Sequence, residues 1–264
     1  MAGNMACYAQ ADGPWHTMVM FRRIWRGANQ YKAHAGKPDA PRPAVDLLSQ
    51  TVVSDLSPEG RGRAAEDDNT PPNVLDQLSY DPGKYVRGCV ARNLSVLPDT
   101  LERIAQDTEW GVRSCVAENN NTLPITLERL ARDPDRMVRR GVAGNGNTLT
   151  RVLGTLAQDL DDEVRVMVAG NRNTLPSVLE RLAQDSSEEV RSLVAGNSGA
   201  TPPSVLEKLA QDPVRGVRFR VAENSSTPPS VLETLLQDPE VATVAADNPN
   251  LSPRARAMWQ LATQ

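Results

Sequence analysis

Aromatic side chains are scarce: Phe, Tyr and Trp make up 4% of the 264 residues. That suits a core tiled with Leu, Val and Ala rather than one built on stacked rings. Histidine occurs only twice, at His16 and His34. No HExxH, Walker A, GxSxG or dinucleotide fingerprint is present, so no site chemistry is called for and the chain reads as a non-enzyme. The three cysteines, Cys7, Cys89 and Cys115, lack both disulfide-framework and metal-ligand spacing, so no cofactor or metal is expected. There is no apolar run long enough for a membrane span, and no secretory leader is expected, since the N-terminal stretch has no apolar h-region followed by a cleavage site. The expectation is a soluble, cytoplasmic protein. Strong charge of one sign is also missing. The net charge is −4, which speaks against a strongly cationic nucleic-acid binder, although residues 1–43 carry +4 and the remainder −8.

What is abundant is self-similarity. The octapeptide VRxxVAxN starts at Val86, Val112, Val138, Val164, Val190 and Val217, with a degraded copy, VATVAADN, at Val241. The steps are 26, 26, 26, 26, 27 and 24 residues. A period in this range signals stacked units, each burying its apolar face against its neighbours rather than in one globular core.

One unit, residues 121–145, shows the local grammar. Thr122 is expected to cap a first helix with Pro124 in its first turn. Leu127 and Leu130 share one face of that helix. Asp133-Pro134 is expected to start a second helix, in which Val138, Gly141 and Val142 face the core. Gly144-Asn145 would end it, both residues tolerating a left-handed backbone. Cys89 and Cys115 occupy equivalent positions in successive units, expected about 8–10 Å apart, beyond the roughly 7 Å limit for a disulfide. They read as small core residues.

The expected organisation is a basic N-terminal arm with a Pro-rich linker at 1–43, a degenerate capping repeat at 44–68, a tandem array at 69–248 and a C-terminal capping helix at 249–264. Met18 and Met20 leave room for a start further in.

The units NTLPxxLERLAQDPxxxVRxxVAGN resemble the leucine-rich repeat variant family over roughly residues 69–253. The resemblance implies an all-α fold, a right-handed α-solenoid of two-helix repeats in which α-helices alternate with short or 3-10 helices. The half-motif DPDxxVRxxVA is also similar to the second helix of HEAT-type repeats. In the family's best-known form a cysteine-rich module carrying an iron–sulfur cluster precedes the array. Cys7 is the only cysteine before it here, and a cluster needs about four thiolates, so no cluster is carried over.

Residues that recur in every unit are candidates for holding the stack. They comprise Arg87, Arg113, Arg139, Arg165, Arg191 and Arg218, the acids Asp81, Asp107, Asp133, Asp159, Asp185 and Asp212, each five residues before the first valine of its motif, and the asparagines Asn93, Asn119, Asn145, Asn171, Asn197 and Asn224. Positions that vary are candidates for recognition: Tyr85, Trp110, Arg136, Arg139, Arg140, Arg215, Phe219 and Arg220. Mixed charge and isolated aromatics fit a protein or peptide partner. The alternative is a polyanion, DNA or RNA, held by the arginine ladder and the basic arm WHTMVMFRRIWRGANQYK at 15–32, which would also suit an acidic membrane surface. A minor alternative is a HEAT-like DNA-processing enzyme, on fold analogy alone.

Overall fold

The computed structural model describes residues 53–263. The arm, the linker, the alternative starts and residues 44–52 of the capping repeat lie outside the described residues. Among those residues there are sixteen α-helices, one 3-10 turn at Val53–Asp55 and no strand. Two helix lengths alternate. The nine-residue helices are α1 (Pro58–Glu66), α3 (Lys84–Arg92), α5 (Trp110–Glu118), α7 (Arg136–Gly144), α9 (Asp162–Gly170), α11 (Glu188–Gly196) and α13 (Arg215–Glu223). The seven-residue helices are α2 (Pro72–Leu78), α4 (Pro98–Ile104), α6 (Pro124–Leu130), α8 (Thr150–Leu156), α10 (Pro176–Leu182), α12 (Pro203–Leu209) and α14 (Pro229–Leu235). A shortened α15 (Ala242–Asp247) and a final α16 (Pro253–Ala262) complete the array, an all-α solenoid.

None of these helices would be stable alone at two turns. Each is held by a core that repeats with the sequence. The first leucine of every short helix, from Leu75 through Leu101, Leu127, Leu153, Leu179 and Leu206 to Leu232, is fully buried. So are the second valine and the alanine of each VRxxVA, for example Val142 with Ala143 and Val168 with Ala169. The long helices make the closest backbone approaches, each to the next along the row, while each short helix packs mainly on the long helices beside it. Small residues permit that approach. A Cβ added to Gly141 would stand 3.0 Å from the Cβ of Ala117 and 3.4 Å from the Ser114 carbonyl.

Three local expectations are corrected. The cap of α6 is Leu123, not Thr122; the Thr122 hydroxyl instead donates to the carbonyl of Val116, 2.6 Å away, satisfying the end of the preceding long helix. The same bond recurs from Thr148 to Val142 and from Thr174 to Val168. Next, α7 starts at Arg136 with Asp135 as its cap; Asp133 sits two residues earlier and accepts the Asp135 N–H at 2.9 Å. A proline at 134 thus shapes the corner, not the helix. Finally, the VAGN glycine-asparagine pair is not left-handed. Asn145 has φ −74° and ψ 127°, and the only positive φ among the described residues is at Gly199, +101°. That glycine lies in the single 27-residue step, where the extra residue needs a backbone turn that L side chains rarely adopt. The 3-10 character of the short elements sits at their ends: Val152 N–H reaches Leu149 and Asp159 N–H reaches Leu156, both three residues back.

Candidate functional site

The repeated polar residues converge on the joints between repeats. Each ladder arginine leaves a long helix and forks onto the aspartate of the next repeat. Arg165 places Nε and Nη2 2.7 and 2.9 Å from the two carboxylate oxygens of Asp185, while its Nη1 donates to the carbonyl of Asp159, 2.9 Å away, at its own repeat's corner. Arg87–Asp107, Arg113–Asp133, Arg139–Asp159 and Arg191–Asp212 repeat this geometry, Arg61 reaches Asp81, and Arg218 meets both Asp238 and Glu240. The aspartate also accepts the N–H two residues on, as Asp185 does from Ser187 at 2.9 Å, fixing the corner. Burial would push the Asp185 carboxyl up. The hydrogen bonds from Arg165 and Ser187 and the charges of Arg165 and Arg191 outweigh that and hold it below the usual carboxylate range. Asp107, Asp133, Asp159 and Asp212 shift the same way for the same causes.

The asparagines form a second, buried ladder. Asn145 Nδ2 donates to the carbonyls of Ala117 and Asn119 at 2.7 and 3.0 Å, and its Oδ1 accepts from Asn147 N–H at 2.9 Å. Asn93, Asn119, Asn171 and Asn197 do likewise, each reaching back to the repeat before. Asn224, just after the 27-residue step, keeps its bond to Ala195 at 2.6 Å. At the far end Arg256 closes the series by donating Nη2 to the carbonyl of Asn248 at 2.7 Å.

Sequence reasoning missed two further ladders. On the short helices Arg103 meets Asp76, Arg129 meets Glu102, and Arg151 meets Glu128 at 2.6 Å. The signal was there in the recurring LER of these helices. The other is a size match across the long helices. Where a long helix ends in glycine, the next supplies a large side chain above it: Met167 over Gly144, Leu193 over Gly170, Arg220 toward Gly196. Where it ends in Arg92 or Glu118, the corresponding residue is Cys115 or Gly141. The glycine of VAGN is therefore a space requirement.

The variable candidates are all carried by the long helices, but not all are free. Trp110, the first residue of α5, is 49% exposed. Tyr85 is 56% exposed, yet its hydroxyl donates to Glu66 at 2.5 Å and its ring lies against Gly62. Arg136 is exposed and pairs with Asp161 at 3.0 Å; Arg140 approaches Glu163 at 3.4 Å. Arg215 is exposed and donates to the Glu240 carbonyl, and Arg220 pairs with Glu223 on its own helix. Phe219 is partly buried against the core, and Arg139 is engaged by Asp159. Between the two basic stretches lie Asp162, Glu163, Glu188 and Glu189, all exposed. Partial desolvation on the helix surface, followed by the charges of Asp162, Glu163 and Glu188, raises the Glu189 carboxyl. Among the described residues no group of three or more His, Cys, Asp or Glu has a metal-holding geometry, and no helix is long and apolar enough to cross a membrane.

Comparison with known proteins agrees with this construction. The family model described as leucine rich repeat variant matches residues 215–240. The chain is similar to a solved structure described as a leucine-rich repeat variant with a novel repetitive structural motif, at 26% identity and a TM-score of 0.57, covering 85% of this chain and 97% of that one. It is also similar to an X-ray structure of YibA of Escherichia coli, at 19% identity and a TM-score of 0.46, covering 82% and 100% respectively. No curated protein matches the chain. The octapeptide repeat and the alternating nine- and seven-residue helices resemble leucine-rich repeat variant units, and the family model itself matches one of them, residues 215–240.

Proposed function

We propose that the array is a non-enzymatic scaffold that binds a protein or peptide along the outer face of its long helices. One observation carries this reading. The residues that repeat are engaged in joints between repeats, while the first, second and last residues of the long helices vary in chemistry and are exposed or half-exposed. Along the row these run from Lys84 and Tyr85 through Trp110, Arg136 and Met137 to Asp162, Glu188, Glu189 and Arg215. A change of charge sign from repeat to repeat suits a partner of definite sequence better than a uniform phosphate backbone. The same joints weigh against the polyanion reading. A phosphate would have to displace a bidentate carboxylate from each of Arg87, Arg113, Arg139, Arg165 and Arg191.

The test is selection from a random peptide library, followed by binding of selected peptides to the parent protein and to Trp110→Ser and Arg136→Glu. Binding that falls in either variant and persists in Ile125→Ser, an exposed change on a short helix, supports the proposal. Peptides insensitive to every long-helix variant would refute it. Labelled DNA and RNA at about 50 and 200 mM salt form the counter-test; tight binding that collapses with salt would favour the polyanion instead.

A further inference from the structure

The last two short elements present an unfinished joint. Inside the array, neighbouring short helices are closed by an arginine from one meeting a carboxylate on the other, as in Arg129–Glu102 and Arg151–Glu128. Between α14 and α16 both halves are present but unjoined. Glu233 accepts only from the Ser252 hydroxyl, at 3.0 Å, and Arg254 is exposed and forms no ion pair within the described residues. They flank an open cavity of about 700 Å³ that Leu236, Met258 and Trp259 help to line. The helix α16 has no buried residue. Met258 is 62% and Leu261 74% exposed, two large apolar side chains left open on one helix, whereas each seven-residue helix buries both of its leucine-position side chains.

We infer that this end of the array is a docking surface for a second copy of the same chain. The patch is complementary to itself. It carries one acid on α14, one base on α16 and an apolar strip between them, so a two-fold axis brings Arg254 onto the partner's Glu233 twice over. The same apposition seats Met258 and Leu261 in the facing groove. This is the isologous contact that closed dimers use, and it continues the arginine–carboxylate chemistry of the internal joints. The patch is one ten-residue helix and one groove wall. A contact of that extent is small beside the ~800 Å² per partner of standard interfaces, so the dimer is expected to be reversible. It uses none of the variable residues of the long helices, so each dimer would carry two copies of the proposed binding face.

Sedimentation equilibrium of the full chain, from ~1 to ~100 µM, spans the range in which an interface of this size assembles. The expected mass rises from 28.7 kDa toward twice that value. Arg254→Glu and Glu233→Arg each stay monomeric, because each sets like charges face to face. Mixed in equal amounts, the two variants recover the dimer, since every acid again meets a base; Met258→Asp does not. A parent chain that remains monomeric throughout, or a dimer untouched by Arg254→Glu and Met258→Asp, overturns the inference. Unchanged helical circular dichroism, expected because these side chains are exposed, keeps the variants interpretable.

Discussion

Replacing Arg165 by alanine tests whether the arginine ladder holds the array together. The guanidinium makes two bonds to Asp185, at 2.7 and 2.9 Å, and two to the corner carbonyls of Asp159 and Leu160, at 2.9 and 3.3 Å. The side chains of Arg165 and Asp185 retain 15% and 10% of their exposure. Breaking a fully buried pair costs about 3–5 kcal/mol, while exposed pairs are worth about 0–1 kcal/mol. Residual solvent contact at Asp185 places this one near the low end of the buried range, about 3 kcal/mol. With an m-value of roughly 3 kcal/mol/M for an array of this size, the urea midpoint should fall by about 1 M. The assay is urea unfolding followed by circular dichroism at 222 nm. The control is Arg136→Ala, whose side chain is 56% exposed and whose loss should cost no more than about 0.5 kcal/mol. The double variant Arg165→Ala with Asp185→Ala should cost clearly less than the sum of the singles, because the two share the lost bonds. If Arg165→Ala shifts the midpoint no further than Arg136→Ala, the ladder does not hold the stack and its arginines return to the list of binding candidates.

Asn145→Ala removes two donors to buried carbonyls and one acceptor, at about 1 kcal/mol each, so a loss of about 3 kcal/mol is expected in the same urea assay; a loss under about 1 kcal/mol would contradict the asparagine ladder. Gly144→Arg should destabilise by about 1–3 kcal/mol, since even a Cβ stands 2.6 Å from the Met167 methyl, and adding Met167→Cys should recover most of it by recreating the Arg92–Cys115 match; no recovery in thermal melts would show that the glycine is needed for another reason. Gly154→Ala should raise stability by about 0.5–1 kcal/mol, because a Cβ there meets nothing within 4 Å, and Gly154→Glu should further offer Arg181 the carboxylate that Arg129 finds in Glu102; a lowered melting temperature for both would refute this. The ladder carboxyls of Asp107, Asp133, Asp159, Asp185 and Asp212 are depressed in the folded state. Their contribution is complete above the ordinary carboxylate pKa of about 4 and is lost as pH falls through the lower folded values. The urea midpoint should therefore change little from these groups between pH 7 and 5 and fall steeply below about pH 4; a loss concentrated between pH 7 and 5 would point to other groups.

The repeat period, the two-helix unit and the identity of the core are legible in the residues alone. Those follow from local spacing: Leu127 and Leu130, three apart, share a face on a helix but not on a strand, Val138 and Val142 fit the same period, and seven copies leave little choice but to stack. The sequence also singled out the arginine, aspartate and asparagine ladders as a group. Where their bonds go depends on how the repeats stack. Arg165 reaches forward to Asp185 and Asn145 reaches back to Ala117, contacts between residues 20 and 28 apart that no helical periodicity encodes. The corners were misread for the same reason. Thr122 and Asn145 are good local caps in isolation, but in the stack their side chains serve carbonyls that other helices leave open. Gly144 looked like a turn residue, and only the position of Met167 in the next repeat revealed it as room for a neighbour. Local chemistry thus set the elements, while the distribution of polar side chains between joint and surface was fixed by which repeat lies beside which.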